Sequence, residues 1–294
     1  MLIPTGTQDS VPRAGHRSRQ SGDSEAPAES PASQLPTGAV IDVEGTILDG
    51  NGRPLPGAIE VIGGLKEARV PFSLASNLSS KTREQLAHEL QRKGFTVDTA
   101  DIVTTSSLTA EYLRRHHHLA RVAVFAEGTP FSADDGLVFV SDKPDVIVLG
   151  GLGKWLSHEA LNKILRFACE GVPLVAMHRN LCWESATGLS LDVGGVLPGI
   201  EAVAHREAQV IGKPSRAFFE QALVSGGIKL TGALMVGDDV RSDVLAAQAM
   251  GMTGVLVRTG KYRSDTLAGA DGSPDFVIDS IADLPALMAG GEWR

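Results

Sequence analysis

Short apolar runs, each followed by a stretch of helical periodicity, constrain this chain more than any other feature. The first is AVIDV, residues 39–43, which is rich in β-branched side chains and has no polar alternation until its acid. A run of that kind reads as a parallel strand covered on both faces. Ile59, Ile62 and Leu65, with Val61 and Ala68, then fall at helical spacing. FSLAS (72–76) predicts the next strand, and a helix from about Lys81 to Lys93 follows, closed by Gly94. IVTT (102–105) predicts a third strand, with a helix through Leu108 and Leu113 after it. The rhythm returns late in the chain. VIG (210–212), ALMVG (233–237), GVLV (254–257) and FVID (276–279) predict strands, with helices after Ser215, over 241–250 and at the end. This alternation predicts an α/β fold, a doubly wound parallel sheet with helices on both faces.

The middle of the chain carries strands of its own: RVAVFA (121–126), LVFVS (137–141), DVIVLG (145–150) and PLVAM (173–177), with a helix starting near Ser157. They predict a smaller α/β cap domain inserted into the first sheet's domain. The expected division is a core over 37–117 and 206–294, with the cap over 118–205. Residues 1–36 are rich in Ser, Pro, Gly and Gln without apolar periodicity, and are expected to form a disordered tail. A length of 294 residues suits such a division, since single cores seldom exceed ~250–300 residues.

Charge and cysteine usage narrow the function classes. A formal net charge of -8 argues against a nucleic-acid partner, which needs clustered Lys and Arg. No apolar run reaches the ~18–20 residues that would span a bilayer, so no membrane partner is expected. The two cysteines, Cys169 and Cys182, suggest neither a disulfide framework nor a zinc site, and a cytoplasmic location is expected.

Four polar strings sit directly after predicted strands. Asp42 ends the first strand and Glu44 follows two residues on, with Gly45 allowing a sharp turn. Ser76 and Asn77 follow the second strand, offering a hydroxyl and an amide ahead of a helix. A plain helix cap at Ser79 or Ser80 explains that string equally well. Lys213 lies between a strand and a capped helix, where an ammonium could meet phosphoryl oxygens, although an ordinary surface lysine has the same appearance. The last string is Gly237-Asp238-Asp239, with Asp243 one turn further along. Carboxylates 4 Å apart repel by ~4 kcal/mol at an effective dielectric near 20. Acids gathered at one strand tip therefore call for a hard divalent cation.

Taken in order, Asp-x-Glu-Gly-Thr, Ser-Asn, Lys-Pro and Gly-Asp-Asp-x-x-x-Asp resemble the haloacid dehalogenase superfamily of aspartyl-phosphate phosphatases. The insertion resembles the α/β cap of the subfamily (IIA) that holds the ribonucleotide monophosphatase-like proteins and pyridoxal phosphate phosphatase. VIGKPSRAFF, MVGDDVRSDVLAAQAMGM and VRTGKYR are most similar to the phospholysine phosphohistidine inorganic pyrophosphate phosphatase group. The resemblance runs from about residue 38 to the C-terminus. It implies a Rossmann-like core and a Mg²⁺-dependent phosphatase acting on a small phosphorylated metabolite. By that resemblance Asp42 is the nucleophile and a metal ligand, and Glu44 is the general acid/base, giving its backbone carbonyl to the metal. Asp238 is then a further direct ligand. Asp239 and Asp243 act behind it and orient Lys213, while Ser76, Asn77 and Lys213 bind the phosphoryl group. A homodimer is also suggested, by analogy with capped relatives.

Position 44 departs from the family's usual Asp, and the extra methylene motivates an alternative. In that reading the chain is a phosphate-ester-binding regulatory protein on the same scaffold, with little turnover. The tract His116, His117, His118 suits a solvated helix end better than a metal site, because adjacent helical residues point apart. Gly150-Gly151-Leu152-Gly153-Lys154 lacks the spacing and the hydroxyl residue of a nucleotide loop. The segment from His178 to Glu184 has the polar and aromatic mix of a substrate loop, and equally of a surface loop.

Overall fold

The apolar runs become strands because each can bury both faces between helices. The protein is represented by a computed structural model that describes residues 36–155, 157–185 and 188–290. Of the N-terminal tail expected over 1–36, all but Pro36 lies outside these described residues. The chain opens with β1 (Gly38–Asp42), α1 (Ala58–Glu67), β2 (Phe72–Ser76), α2 (Arg83–Arg92), β3 (Ile102–Thr104) and α3 (Thr105–His116). Then come β4 (Arg121–Phe125), β5 (Val138–Phe139), β6 (Val146–Leu149), α4 (His158–Cys169), β7 (Leu174–Ala176), β8 (Cys182–Ser185), β9 (Gly188–Leu191), α5 (Val193–Ala204) and β10 (Gln209–Val210). Of the run expected to be extended over 137–141, only Val138 and Phe139 pair.

The last third supplies α6 (Arg216–Gly226), β11 (Ala233–Gly237), α7 (Ala246–Gln248), β12 (Thr253–Val257), α8 (Ser264–Ala268), β13 (Phe276–Ile278) and α9 (Leu284–Met288). The helix expected over 241–250 begins as a π-helical segment, Val240–Leu245, that runs into α7.

Six strands form one all-parallel sheet in the order β13-β12-β11-β1-β2-β3. Alternate residues of β1 face opposite ways. Ile41 packs with Leu74, Val236 and Ile62 toward α1, and Val40 packs with Ala75, Met235, Phe218 and Phe219 toward α6. From β1 the chain winds outward through β2 and β3, then returns to place β11 on the other side of β1. That reversal opens a crevice at the carboxyl ends of β1 and β11, where open α/β sheets bind ligands.

The second sheet, β10-β7-β6-β4-β5, is also parallel. Ile164 of α4 and Leu197 of α5 pack on one face of it and Leu113 of α3 on the other. Two features here escape simple periodicity. The strand expected at 210–212 forms over Gln209–Val210 and pairs with β7, so the second sheet extends to residue 210. A β8–β9 hairpin and α5 follow the expected strand near 173–177, and glycines 194, 195 and 199 with Pro198 hide that helix in the sequence.

Candidate active site

The crevice gathers the predicted acids. Asp42 is the last residue of β1, and Thr46 donates a 3.1 Å hydrogen bond to its Oδ2. Asp238 follows β11 directly, and Asp243 sits one turn later on the π-helical segment. One carboxylate oxygen from each of Asp42, Asp238 and Asp243 lies within 4.8 Å of the others, and all three side chains are buried. Lys213, buried to the same degree, hydrogen-bonds Asp42 Oδ1, lies 2.8 Å from Asp243 Oδ1, and donates to Ala75 O at 3.1 Å.

Asp238 is held on three sides by backbone. Its Oδ2 accepts the Lys261 N–H at 2.7 Å, and Gly45 and Gly260 close over it with φ of +87° and +59°. A Cβ at Gly45 would come within 1.9 Å of that oxygen, and one at Gly260 within 2.0 Å. Thr259 Oγ1 bonds Gly45 O at 2.5 Å and ties the two loops together. The other oxygen, Asp238 Oδ1, is buried with no hydrogen-bond partner among the described residues.

Burial pushes Asp42, Asp238 and Asp243 toward the protonated form, Asp243 to about 6, with Lys213 opposing the shift at Asp42 and Asp243. Burial alone would lower Lys213, but Asp243 and Asp42 hold it above the ordinary lysine range. Five carboxyl groups, those of Asp42, Glu44, Asp238, Asp239 and Asp243, face two ammonium groups, those of Lys213 and Lys261. The excess negative charge, the partnerless Asp238 oxygen and the all-oxygen donor set fit a hard divalent cation.

The remaining predicted residues take more specific places. The Ser76 hydroxyl donates to Glu44, 3.0 Å from Oε1 and 2.9 Å from Oε2, and accepts the Leu78 N–H at 2.9 Å. Burial raises Glu44, opposed by Lys213 and by the Ser76 hydroxyl. Asn77 Oδ1 accepts Lys213 N at 2.9 Å, and its Nδ2 donates to Lys213 O at 3.1 Å and to Asn180 Oδ1 at 3.3 Å. The Asn77 amide thus clamps the lysine's backbone. Asp239 stands slightly apart. Its Oδ1 caps the π-helical segment by accepting Arg241 N and Ser242 N at 3.0 Å each, while its Oδ2 lies 3.5 Å from Lys261 Nζ. Lys261 and the N–H bonds hold Asp239 below the ordinary carboxylate range in spite of its burial.

Lys261 is the residue that motif reading missed. The string VRTGKYR contains it, but a lone lysine after a glycine carries no spacing signal of its own. Helix α2 is capped by Thr82 in a reciprocal box with Gln85, so the alternative reading of Ser79 and Ser80 as caps does not hold. Both serines lie instead on the wall of a cavity of about 400 Å³ that opens over Asp42, Glu44, Lys213 and Asp238. From the segment 178–184, His178, Asn180 and Trp183 line the same cavity.

Comparison with known proteins agrees with this arrangement. The family pattern described as haloacid dehalogenase-like hydrolase matches residues 39–133, and one described as HAD-hydrolase-like matches 210–284. The chain is 31% identical over 225 residues to human haloacid dehalogenase-like hydrolase domain-containing protein 2, covering 76% of this chain and 85% of that protein. It is 29% identical over 256 residues to the phospholysine phosphohistidine inorganic pyrophosphate phosphatase of Rattus norvegicus, covering 85% and 93% of the two chains. The solved structure of a p-nitrophenyl phosphatase from Archaeoglobus fulgidus superposes with a TM-score of 0.78 at 26% identity, covering 86% of this chain and 100% of that one. The chain belongs to the haloacid dehalogenase-like hydrolases. Within them it is a phosphatase of the capped subfamily.

Proposed function

We propose that this chain hydrolyses a phosphomonoester of a small metabolite in two steps, with Asp42 carrying the phosphoryl group between them. One Asp42 oxygen attacks phosphorus as the bond to the leaving oxygen breaks. Glu44, whose burial favours its protonated form, gives that oxygen its proton. A water then attacks the aspartyl-phosphate, Glu44 takes a proton from it, and phosphate leaves with Asp42 regenerated. Lys213 neutralises charge on the transferring oxygens, and Asn77 fixes the lysine's backbone. Asp243 orients the ammonium of Lys213, and Asp239 holds the start of the turn that carries Asp243. Asp42, Asp238 and the Glu44 carbonyl would hold Mg²⁺, which supplies electrostatic stabilisation of the developing phosphoryl charge when bound. In phosphoryl transfer, positioning and charge neutralisation account for most of the catalysis.

The observation that carries this reading is the convergence of the Asp42, Asp238 and Asp243 carboxylates with Lys213 at the floor of one cavity. The activities after which the rat and archaeal relatives are named, phospholysine, phosphohistidine and pyrophosphate phosphatase and p-nitrophenyl phosphatase, support phosphate esters and related phosphorylated compounds as substrates. The division into core and inserted cap goes with the proposal, with the expected cap of 118–205 lengthened to Val210 because β10 pairs with β7, which leaves the core over 37–117 and 211–294. Asp42→Asn is expected to abolish hydrolysis of phenyl phosphate and p-nitrophenyl phosphate, as is EDTA for the unsubstituted protein. Activity surviving Asp42→Asn would end the proposal.

A second reading, phosphate-ester binding with little turnover, is favoured by one contact. Ser76, expected to bind the phosphoryl group, instead donates to Glu44. Calorimetry showing Mg²⁺-dependent binding of phosphate esters with no phosphate release would decide for it.

A further inference from the structure

Ser79 and His178 take no part in the steps above, yet both are almost fully buried and both line the cavity. They come from opposite parts of the chain, Ser79 from the loop after β2 and His178 from the loop after β7. Ser79 Oγ lies 3.2 Å from His178 Nε2 and accepts the Gly151 N–H at 2.7 Å. On the other edge of the ring, His178 Nδ1 accepts the Asn180 N–H at 3.4 Å, while Asp192 Oδ2 stands at 3.9 Å, beyond hydrogen-bond reach.

These contacts favour one placement of the hydrogens. Burial keeps the imidazole neutral, since it lowers His178 below the ordinary histidine value, with Asp192 opposing and Lys261 adding to the shift. A neutral ring has one donor and one acceptor nitrogen. With Nδ1 accepting from Asn180, the hydrogen sits on Nε2 and points at Ser79 Oγ. That oxygen then accepts twice, from Gly151 N and from His178 Nε2, which uses both lone pairs. Its own hydrogen has to point elsewhere, and the open side of Ser79 is the cavity.

We propose that Ser79 is a specificity residue whose hydroxyl donates to an acceptor on the leaving group, with His178 and the Gly151 N–H as its positioning partners. The matching substrate class is a phosphomonoester whose alcohol carries further hydroxyl or carbonyl oxygens, such as a sugar or polyol phosphate. This deepens the phosphatase reading of the same site and rests on it.

The experiment compares ribose 5-phosphate and glycerol 3-phosphate with phenyl phosphate, whose leaving group offers no further acceptor, in the full-length protein with Mg²⁺. Ser79→Ala and His178→Leu are expected to raise KM for the hydroxylated esters by about tenfold, as for one lost neutral hydrogen bond. Their kcat should stay within twofold, and both parameters for phenyl phosphate should stay within twofold. His178→Gln, which keeps an N–H facing Ser79, should restore most of the lost KM. Equal losses on both kinds of ester, or no rescue by glutamine, would overturn the inference and leave the phosphatase reading intact. So would an unsubstituted protein that turns over phenyl phosphate and neither hydroxylated ester. No turnover of any of the three would overturn the phosphatase reading and the inference with it.

Discussion

Replacing Gly260 with alanine tests whether the seating of Asp238 matters to function. At φ +59° the backbone is in the left-handed region, so the methyl group costs roughly 1–2 kcal/mol before any contact is considered. The contact is worse. The new Cβ would meet Asp238 Oδ2 at 2.0 Å and the Gly45 Cα at 2.5 Å, whereas ordinary Cβ contacts do not fall under 3.0 Å. The carboxylate has to retreat by about 1 Å, a displacement that can cost ~10²-fold in rate. Retreat also strains the 2.7 Å bond from Lys261 N and moves the oxygen set that would hold Mg²⁺. Expected outcomes are a hundredfold fall in kcat/KM for p-nitrophenyl phosphate and weaker Mg²⁺ binding by calorimetry. Gly63→Ala is the control. It lies within α1, a Cβ there meets nothing within 4 Å, and alanine should stabilise by about 0.5–1 kcal/mol through helix propensity alone. If Gly260→Ala keeps kcat/KM within threefold and binds Mg²⁺ as tightly as before, the account of Asp238 is wrong.

Lys213→Met leaves Asp42 and Asp243 buried beside each other without their ammonium. Such losses typically destabilise by ~3–5 kcal/mol, read as a fall in melting temperature in EDTA that added Mg²⁺ partly reverses. Asn77→Ala removes the clamp on the Lys213 backbone, costing about 1–3 kcal/mol in urea unfolding and lowering kcat more than it raises KM. On the second sheet, Arg121 holds Asp145 down to about 2, so the pair stabilises the fold above pH ~4 and the contribution fades as pH falls toward 2. Asp145→Asn should therefore melt slightly lower than the parent at pH 6, with the two curves converging near pH 2. A gap that widens in acid would refute the assignment.

The fold was largely legible because its strands are buried on both faces. FSLAS and ALMVG appear in the structure at the residues their apolar runs mark, 72–76 and 233–237. Periodicity failed where packing is made by other means. The helix α5 is rich in glycine and carries an internal proline, and β10 has only two residues, whose pairing partner nothing local specifies. In the site, Asp42 and Asp238 could be picked out at strand ends, Asp243 one turn further on, and Lys213 between a strand and a capped helix. The hydrogen-bond partners of Ser76 and Asn77 could not, because which atom a hydroxyl or amide reaches depends on a loop's path. Ser79 and His178 are 99 positions apart and meet only when the second sheet stands over the first.

The second sheet ends only three residues before Lys213. Its edge strand ends at Val210, and Lys213 follows after Ile211 and Gly212, whose N–H groups bond Ala176 O and Met177 O, at and just past the end of β7. A chimera that exchanged the insertion as a cassette would therefore cut through the support of an active-site side chain. Point changes around the cavity wall leave those two bonds in place, whereas wholesale replacement of the insertion exchanges the strand end, Ala176 and Met177, that holds the segment before Lys213.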